Sequence, residues 1–369
     1  MARVLFVEPF YGGSHRAFLD GLVRHSGHEI VPLTLPEGEW RRRMRRGAQE
    51  LAPHALALAG SFDAVVATDM LDLPVFLALT RPRFYDVPVL LFMHENQFTY
   101  PRLRGTKFNS WFGQVNYLSA MAADLVAFNS EFHRQDFLRA LDALARQPNN
   151  WLFEPGVAGI RAKSSVLPVG VELEWLDEER CHPNPDDPPL VLWNHRWEFD
   201  KAPEVFARAV RQLAAEGLRF RVAIAGEPGE NPSPALLALR EELPHLIAHF
   251  GYVQGRDEYA RLLWQSGIVV STTRHEFFGV GTVEALYCGC VPVAPNRYNY
   301  PALVPPGLRD RCLYEDEEGL FERLRSEVAR PTPVPRALRE FASRFSWANV
   351  APLWDATIEE LVSGHRTRA

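Results

Sequence analysis

Only four cysteines (Cys181, Cys288, Cys290 and Cys312) occur in 369 residues. So few in a chain this long do not make a secreted disulfide framework, and they read as reduced thiols of a cytoplasmic protein. Lysine is scarcer still: Lys107, Lys163 and Lys201 stand against 37 arginines, and none follows a glycine, which excludes a phosphate-binding P-loop. Apolar runs such as 87–93 fall far short of the roughly 18 residues that a membrane-spanning helix needs. At the N-terminus, Val4-Leu5-Phe6-Val7 meets Glu8 after four apolar residues, too few for an export signal. No G-x-G-x-x-G follows the first apolar run, and no G-x-S-x-G elbow occurs. His245 and His249 are four apart, but Leu246 stands where a zinc protease has glutamate. Cys288-Gly289-Cys290 has no second cysteine pair to close a tetrahedral metal site, so small-residue packing explains it.

What remains is an ordinary globular composition, 47% apolar and 23% charged, long enough for two domains. The net charge of −6 is unevenly placed: residues 1–175 hold 18 basic and 18 acidic groups, residues 176–369 hold 22 and 28. Within 40–110 basic groups lead ten to six, around Trp40-Arg41-Arg42-Arg43-Met44-Arg45-Arg46. Taken alone this block reads as a solvated helix face; a polyanion is the alternative partner.

Short apolar runs at 3–7, 29–35, 62–68, 87–94 and 124–129 alternate with helical patterns such as 14–23. Fully apolar strands separated by helices predict βαβ units and a parallel sheet covered on both faces. Residues 176–189 carry four prolines and six charges with little to bury, and read as a linker. The pattern then restarts, with strands expected at 190–194, 220–225, 248–253, 268–272 and 291–294 and helices near 202–215, 256–264 and 279–288. The segment 336–362 reads as helix interrupted at Phe345-Ser346. Two α/β sheets in tandem imply a cleft, with ligands bound at the carboxyl ends of the strands.

Three segments fall at such ends. His275-Glu276-Phe277-Phe278-Gly279-Val280 runs from a strand into a helix whose glycines and positive end suit an anion. Glu284 follows Glu276 by eight residues, about 12 Å along a helix. That exceeds the roughly 5–9.5 Å of a glycosidase acid pair but suits two grips on one nucleotide-sugar; two exposed helix-terminal glutamates are the plainer alternative. Arg196 and Lys201 share the loop after 190–194, where a fork and a point charge can hold a diphosphate, or else bridge to Glu198 and Asp200. In the first half, Phe10-Tyr11-Gly12-Gly13-Ser14-His15 is a glycine turn suited to phosphate or sugar, and His94-Glu95-Asn96-Gln97 caps a buried strand. His94 could position an acceptor, carry a proton, or serve as a structural hydrogen-bonded histidine.

The E-x7-E spacing within 275–290 and the Arg196/Lys201 pair resemble the retaining GT-B glycosyltransferases similar to family 4. More narrowly, F-Y-G-G-S-H (10–15), H-E-N-Q-x-x-Y-P (94–101), F-N-S-x-F (128–132), H-R-W-E-x-D-K-x-P-E (195–204) and F-S-W-A (345–348) resemble the tRNA-queuosine α-mannosyltransferase family. The resemblance implies an α/β GT-B fold with two Rossmann-like domains facing across a cleft. An acceptor domain would occupy 1–175, a nucleotide-sugar domain 190–345, and 346–369 would form a helix crossing back to the first. It also implies a cytoplasmic enzyme that needs no metal and moves mannose, with retention, from GDP-mannose to queuosine in the anticodon of a tRNA for aspartate.

Carried over by position, Arg196 and Lys201 would hold the diphosphate and Glu276 the mannose hydroxyls. The backbone of Phe278, Gly279 and Val280 would lie near sugar and phosphate, Glu284 would take the ribose, and Gly12 and Gly13 would complete the donor site. His94, Glu95, Asn96 and Gln97 would face the acceptor, and Arg41, Arg42, Arg43, Arg45 and Arg46 would contact tRNA phosphates without reading sequence. Two alternatives stand beside this: the same fold with a lipid, glycan or small-molecule acceptor, and a non-catalytic nucleotide-sugar or RNA-binding module.

Overall fold

A computed structural model of the chain describes residues 1–102, 110–147, 151–152, 154–181, 184, 186–229, 232–330 and 335–367. Lys107 and three residues of the expected linker (His182, Pro183 and Pro185) lie outside them. The chain divides into two units, one drawn from Met1–Tyr100, Gly105–Gly170 and Trp347–Ala369, the other from Val171–Ser346 with Pro101–Arg104.

The first unit is built on β1 (Arg3–Tyr11), β2 (Glu29–Pro36), β3 (Ala64–Thr68), β4 (Val89–Met93), β5 (Leu125–Phe128) and β6 (Ser164–Val166). All pair in parallel, in the order β2-β1-β3-β4-β5-β6. Every residue of β3 and β4 is buried, as strands covered by helices on both faces must be. Helix Trp347–Arg366 completes this unit. Its Trp347 lies so close to Gly21 and Gly170 that a Cβ on either would sit under 2.5 Å from the indole. Further along the same helix, Trp354 packs against Phe18 and Phe92 at 5.1 and 4.8 Å between ring centroids.

The second unit repeats the scheme with β7 (Leu190–Asn194), β8 (Arg221–Ala225), β9 (Ile247–Gly251), β10 (Ile268–Val270), β11 (Val291–Pro295) and β12 (Leu313–Tyr314). The order is β12-β11-β10-β7-β8-β9, again parallel. Trp193, Phe206, Val210, Ile224 and Val270 form its core. No helix among the described residues is long and apolar enough to cross a membrane.

Several expectations shift by a few residues. β1 runs on to Tyr11 through an irregular step after Glu8, and the strand expected at 248–253 begins at Ile247 and ends at Gly251. The edge strands β6 and β12 have no apolar run to announce them, being three and two residues long. The C-terminal break falls where expected, between helices Arg336–Ser343 and Trp347–Arg366. The segment 176–189 is less bare than its composition implies: Leu176 is fully buried, its carbonyl accepts from Trp264 Nε1, and Asp177 is gripped by Arg339 and Tyr287.

In each sheet the chain reverses direction of winding beside its first strand, at β1/β3 and at β7/β10. Such switch points open a crevice outside the carboxyl ends of the strands, where doubly wound sheets bind ligands.

Candidate functional site

At the β7/β10 switch point the loop after Asn194 is closed by two devices. Gly226, just past β8 at φ +124°, lets the backbone of His195 approach; a Cβ there would stand 1.9 Å from the His195 carbonyl oxygen. The end of β10 then clamps the loop. Thr272 Oγ1 donates to the carbonyls of Lys201 and Ala202 (2.8 and 3.1 Å), Thr273 Oγ1 to that of Asp200 (3.1 Å), and the Arg274 N–H to Asp200 as well (2.6 Å). These bonds hold Ala202 at φ +46°, a strained conformation for a residue with a Cβ, just before Pro203 starts a helix.

The clamp sets Lys201 between two carboxylates. Its Nζ lies 3.2 Å from Asp200 Oδ2 and 3.4 Å from Glu276 Oε2, with the His275 carbonyl at 3.5 Å. Burial alone would lower the ammonium; Glu276 and Asp200 outweigh it and hold Lys201 above the ordinary lysine value. Asp200 is itself buried, and its Oδ1 has no hydrogen-bond partner among the described residues. Arg196 is more exposed and meets Glu198 Oε1 at 3.0 Å. Next to them His195 is half-buried with its ring edge-on to Trp193 at 5.2 Å, and desolvation together with the Lys201 charge pushes its imidazole down to about 3.

Helix Val280–Tyr287 starts at Gly279, whose φ of +103° glycine alone adopts cheaply. Phe277 and Phe278 before it are buried, Phe278 edge-on to Phe345 at 5.2 Å, so these aromatics serve packing. In the second turn Glu284 Oε2 accepts from the Tyr259 hydroxyl at 2.8 Å, and that oxygen accepts from Asn194 Nδ2 at 2.7 Å. Burial raises the Glu284 carboxyl to about 7, although the Tyr259 bond pulls the other way. Of the residues expected here, Lys201 and Glu276 are in contact, Arg196 shares the loop of Lys201, and Glu284 joins the end of β7 through Tyr259.

Sequence reasoning placed Tyr259 in a helix without giving it a role, named Asp200 only as an alternative surface partner of the two cations, and missed Gly226. A glycine at a strand end was the available signal for Gly226; nothing local marks Tyr259, because its partners lie 25 and 65 residues away.

The first unit gathers a second group at its own switch point. Glu8, at the end of the regular part of β1, is fully buried; it accepts from the Phe10 N–H at 2.8 Å and pairs with His15 Nδ1 at 3.0 Å. Asp69, after β3, is also fully buried and accepts from the backbone N–H of His94 at 2.7 Å. The His94 carbonyl accepts from Asn129 Nδ2 at 2.8 Å. Within the His94–Gln97 segment, Asn96 serves the loop itself, its Oδ1 accepting from the N–H groups of Phe98 and Thr99, while Gln97 Nε2 donates to Glu95 at 2.7 Å.

Gly13 turns at φ +50° at the start of helix Gly13–His25, and Gly12 lies against the Glu37 side chain, which a Cβ would strike. A carboxylate thus already lies beside this helix end, on the side where the sequence suggested a phosphate. On helix Trp40–Ala57, Arg41, Arg42, Arg45 and Arg46 are exposed, with Arg41 4.5 Å over Trp40 and Arg45 5.3 Å over Phe112. Arg43 is mostly covered and pairs with Glu50 at 3.3 Å.

Residues 3–171 match the family described as tRNA-queuosine alpha-mannosyltransferase N-terminal, and residues 177–327 match glycosyl transferases group 1. The tRNA-queuosine alpha-mannosyltransferase of Drosophila melanogaster is 30% identical over 94% of this chain and 92% of its own. The chain belongs to that family. It is therefore a glycosyltransferase. A GDP-mannose-dependent alpha-(1-6)-phosphatidylinositol dimannoside mannosyltransferase of Mycobacterium tuberculosis is 24% identical over 96% of both chains. Among solved structures, sucrose-phosphate synthase of Thermosynechococcus elongatus matches with a TM-score of 0.75 at 16% identity, over 98% of this chain and 100% of that one. The N-terminal domain of Candida albicans trehalose-6-phosphate phosphatase gives 0.72 at 12% identity, over 99% and 97%. The fold is the GT-B fold that the sequence motifs implied.

Proposed function

We propose that this enzyme transfers mannose from GDP-mannose to queuosine in the anticodon of a tRNA for aspartate, in the cytoplasm, with retention and without a metal. The observation that carries the acceptor is the near full-length similarity to the Drosophila enzyme. All four cysteines are unpaired, in keeping with a reducing compartment.

In this reading Lys201 and Arg196 stabilise the diphosphate as its bond to the sugar breaks. Positioned cations do this with no reorganisation at the moment of reaction. The arriving phosphate displaces Glu276 from Lys201, freeing that carboxylate for the sugar hydroxyls, while Asp200 stays behind to hold the ammonium. Glu284 takes the ribose hydroxyls, and the backbone of Phe278–Val280 borders the sugar phosphate. No carboxylate nucleophile is required if the departing phosphate accepts the proton of the incoming hydroxyl on the same face. His94 and its neighbours Glu95, Asn96 and Gln97 meet the acceptor, and the exposed arginines of helix Trp40–Ala57 meet tRNA phosphates.

The test is mass spectrometry of tRNA nucleosides after incubation of queuosine-containing tRNA with the protein and a panel of sugar nucleotides. A hexose added to queuosine from GDP-mannose alone is expected; addition from a UDP-sugar would replace the donor, and no addition would replace the acceptor. The similarity to the Mycobacterium tuberculosis enzyme supports a lipid acceptor as the second reading. Binding to anionic vesicles in preference to tRNA would favour it.

A further inference from the structure

The innermost group of the first unit holds two imidazoles whose ring centroids are 4.1 Å apart, His15 and His94, with planes tilted by 35°. Two cations at that distance in a water-poor interior repel strongly, so only one of the rings can carry a proton. The surroundings decide which. His15 Nδ1 donates to Glu8 Oε2 at 3.0 Å, and a fully buried carboxylate is costly unless a cation lies against it. Among the described residues no carboxylate pairs with the His94 ring, although a Glu8 oxygen lies within 4.8 Å of a ring nitrogen. His94 is bounded by the edges of Phe92 and Phe18, at 4.7 and 5.2 Å, and by His15. Its backbone is pinned on both sides, by Asp69 and Asn129, and its Nε2 is buried with no hydrogen-bond partner among the described residues.

We propose that Glu8 and His15 are positioning residues for His94: the carboxylate keeps the proton on His15, and the charged ring packed on His94 holds His94 neutral, in one orientation, with Nε2 unengaged. A neutral imidazole can accept a hydrogen bond from a substrate hydroxyl, which an imidazolium cannot. The inference rests on the proposed role of His94 at the acceptor.

The other charged groups around the pair act consistently. Burial opposes charge on His15, but Glu8 foremost, with Asp69 and Glu95, brings it to about 9. Burial, His15 and then His133 lower His94 well below the ordinary histidine value. Asp69, which holds the His94 backbone, is pushed up to about 8 by its own burial and by Glu95.

The experiment is NMR titration of the full chain with labelled histidine rings, on the parent, Glu8→Gln and His15→Asn. Glu8→Gln is isosteric and keeps an acceptor for the Phe10 N–H, so it preserves the local fold. In the parent, His94 stays neutral while His15 stays charged through neutral pH. In Glu8→Gln the His15 titration falls toward the ordinary value of about 6.5, and in His15→Asn the His94 ring begins to titrate in the same range. Turnover on queuosine tRNA falls about 10- to 100-fold in both variants and acquires an acid limb, while KM for the nucleotide-sugar holds.

An unchanged His94 titration in His15→Asn, or an unchanged pH profile in Glu8→Gln, would overturn the proposal. So would zinc binding: the ligand atoms of Glu8, His15 and His94 lie within 4.8 Å of one another, and zinc shifting both ring spectra at equimolar level would make them a metal site instead. If the titrations behave as expected but the parent transfers nothing to queuosine tRNA, the proposed function fails and the coupling of the two rings stands.

Discussion

The Tyr259 hydroxyl donates to Glu284 Oε2 at 2.8 Å and accepts from Asn194 Nδ2 at 2.7 Å, tying the second turn of a helix to the end of β7. Glu284 sits near 7 because burial disfavours its charge. Its carboxylate is the form that accepts two hydroxyl hydrogens, so nucleotide binding is expected to weaken as pH falls through that value. Between pH 8 and 6 the ionised fraction drops about tenfold, and calorimetric affinity for GDP should follow. Tyr259→Phe removes the one bond that pulls the carboxyl down, moving the midpoint higher and lowering affinity at pH 7. Glu284→Gln should flatten the pH dependence altogether. An affinity for GDP independent of pH in the parent would detach Glu284 from the nucleotide.

Lys201 supports a prediction about rate and one about stability. Replacing it by alanine leaves Asp200 and Glu276 facing each other without their shared cation. Breaking a buried pair by removing one partner costs about 3–5 kcal/mol, to be read as a lower denaturant midpoint. The barrier to transfer should rise by about 3–4 kcal/mol once the diphosphate has no ammonium beside it. Bound GDP should raise the denaturant midpoint of the parent but raise that of Lys201→Ala little. For Glu276→Gln, intact-mass analysis under turnover should show no sugar adduct; a covalent hexose would rule out delivery on the leaving-group face.

What the sequence made legible was whatever a short window contains. The apolar runs behind β3, β4, β7 and β8 needed only their neighbours to be read as buried parallel strands, and the loop carrying Arg196 and Lys201 followed from the strand before it. The segment 275–290 announced its turn through Gly279. What stayed hidden depends on atoms brought from afar. Asp200 looked like one more surface charge until β10 folded over it, and Gly226 matters only because the His195 carbonyl arrives there. Glu8 drew notice only as the charge that ends the first short apolar run, yet it is the fully buried partner of His15. Composition also misled at Leu176, a single apolar residue among prolines and charges that is nonetheless fully buried.

The arginine block divides in the structure, and the prediction divides with it. Arg41, Arg45 and Arg46 are exposed, whereas Arg43 lies mostly covered beside Glu50. Changing three of the four exposed arginines, Arg41, Arg45 and Arg46, to glutamate should weaken tRNA binding and flatten its dependence on salt, by up to about 0.9 in log–log slope for each duplex phosphate left without its arginine. Affinity for GDP should not move. Arg43→Ala should instead reduce thermal stability with a small effect on the salt slope. Filter binding across a salt series checks both, and an unchanged slope in the triple variant would remove this helix from the tRNA-binding face.

The buried pair of the first unit also sets how stability depends on pH. His15 is raised from 6.5 to about 9 in the folded chain, so the native state holds a proton that the unfolded chain has released between those values. Stabilisation from this group is complete below about pH 6.5 and lost as pH climbs past 9, a change of about 3 kcal/mol. Asp69 acts in the same direction: its carboxyl, lifted to about 8 by burial, must ionise at a cost as pH rises. The parent should therefore lose stability steadily from pH 6.5 to 9 at constant ionic strength. Glu8→Gln removes the main cause of the His15 shift, so its stability should be lower at pH 6.5 and nearly level across that range apart from the Asp69 contribution. Urea midpoints at three pH values measure the two slopes. Parallel slopes would mean that His15 does not hold its proton through Glu8, and the charge assigned to the inner ring would be wrong.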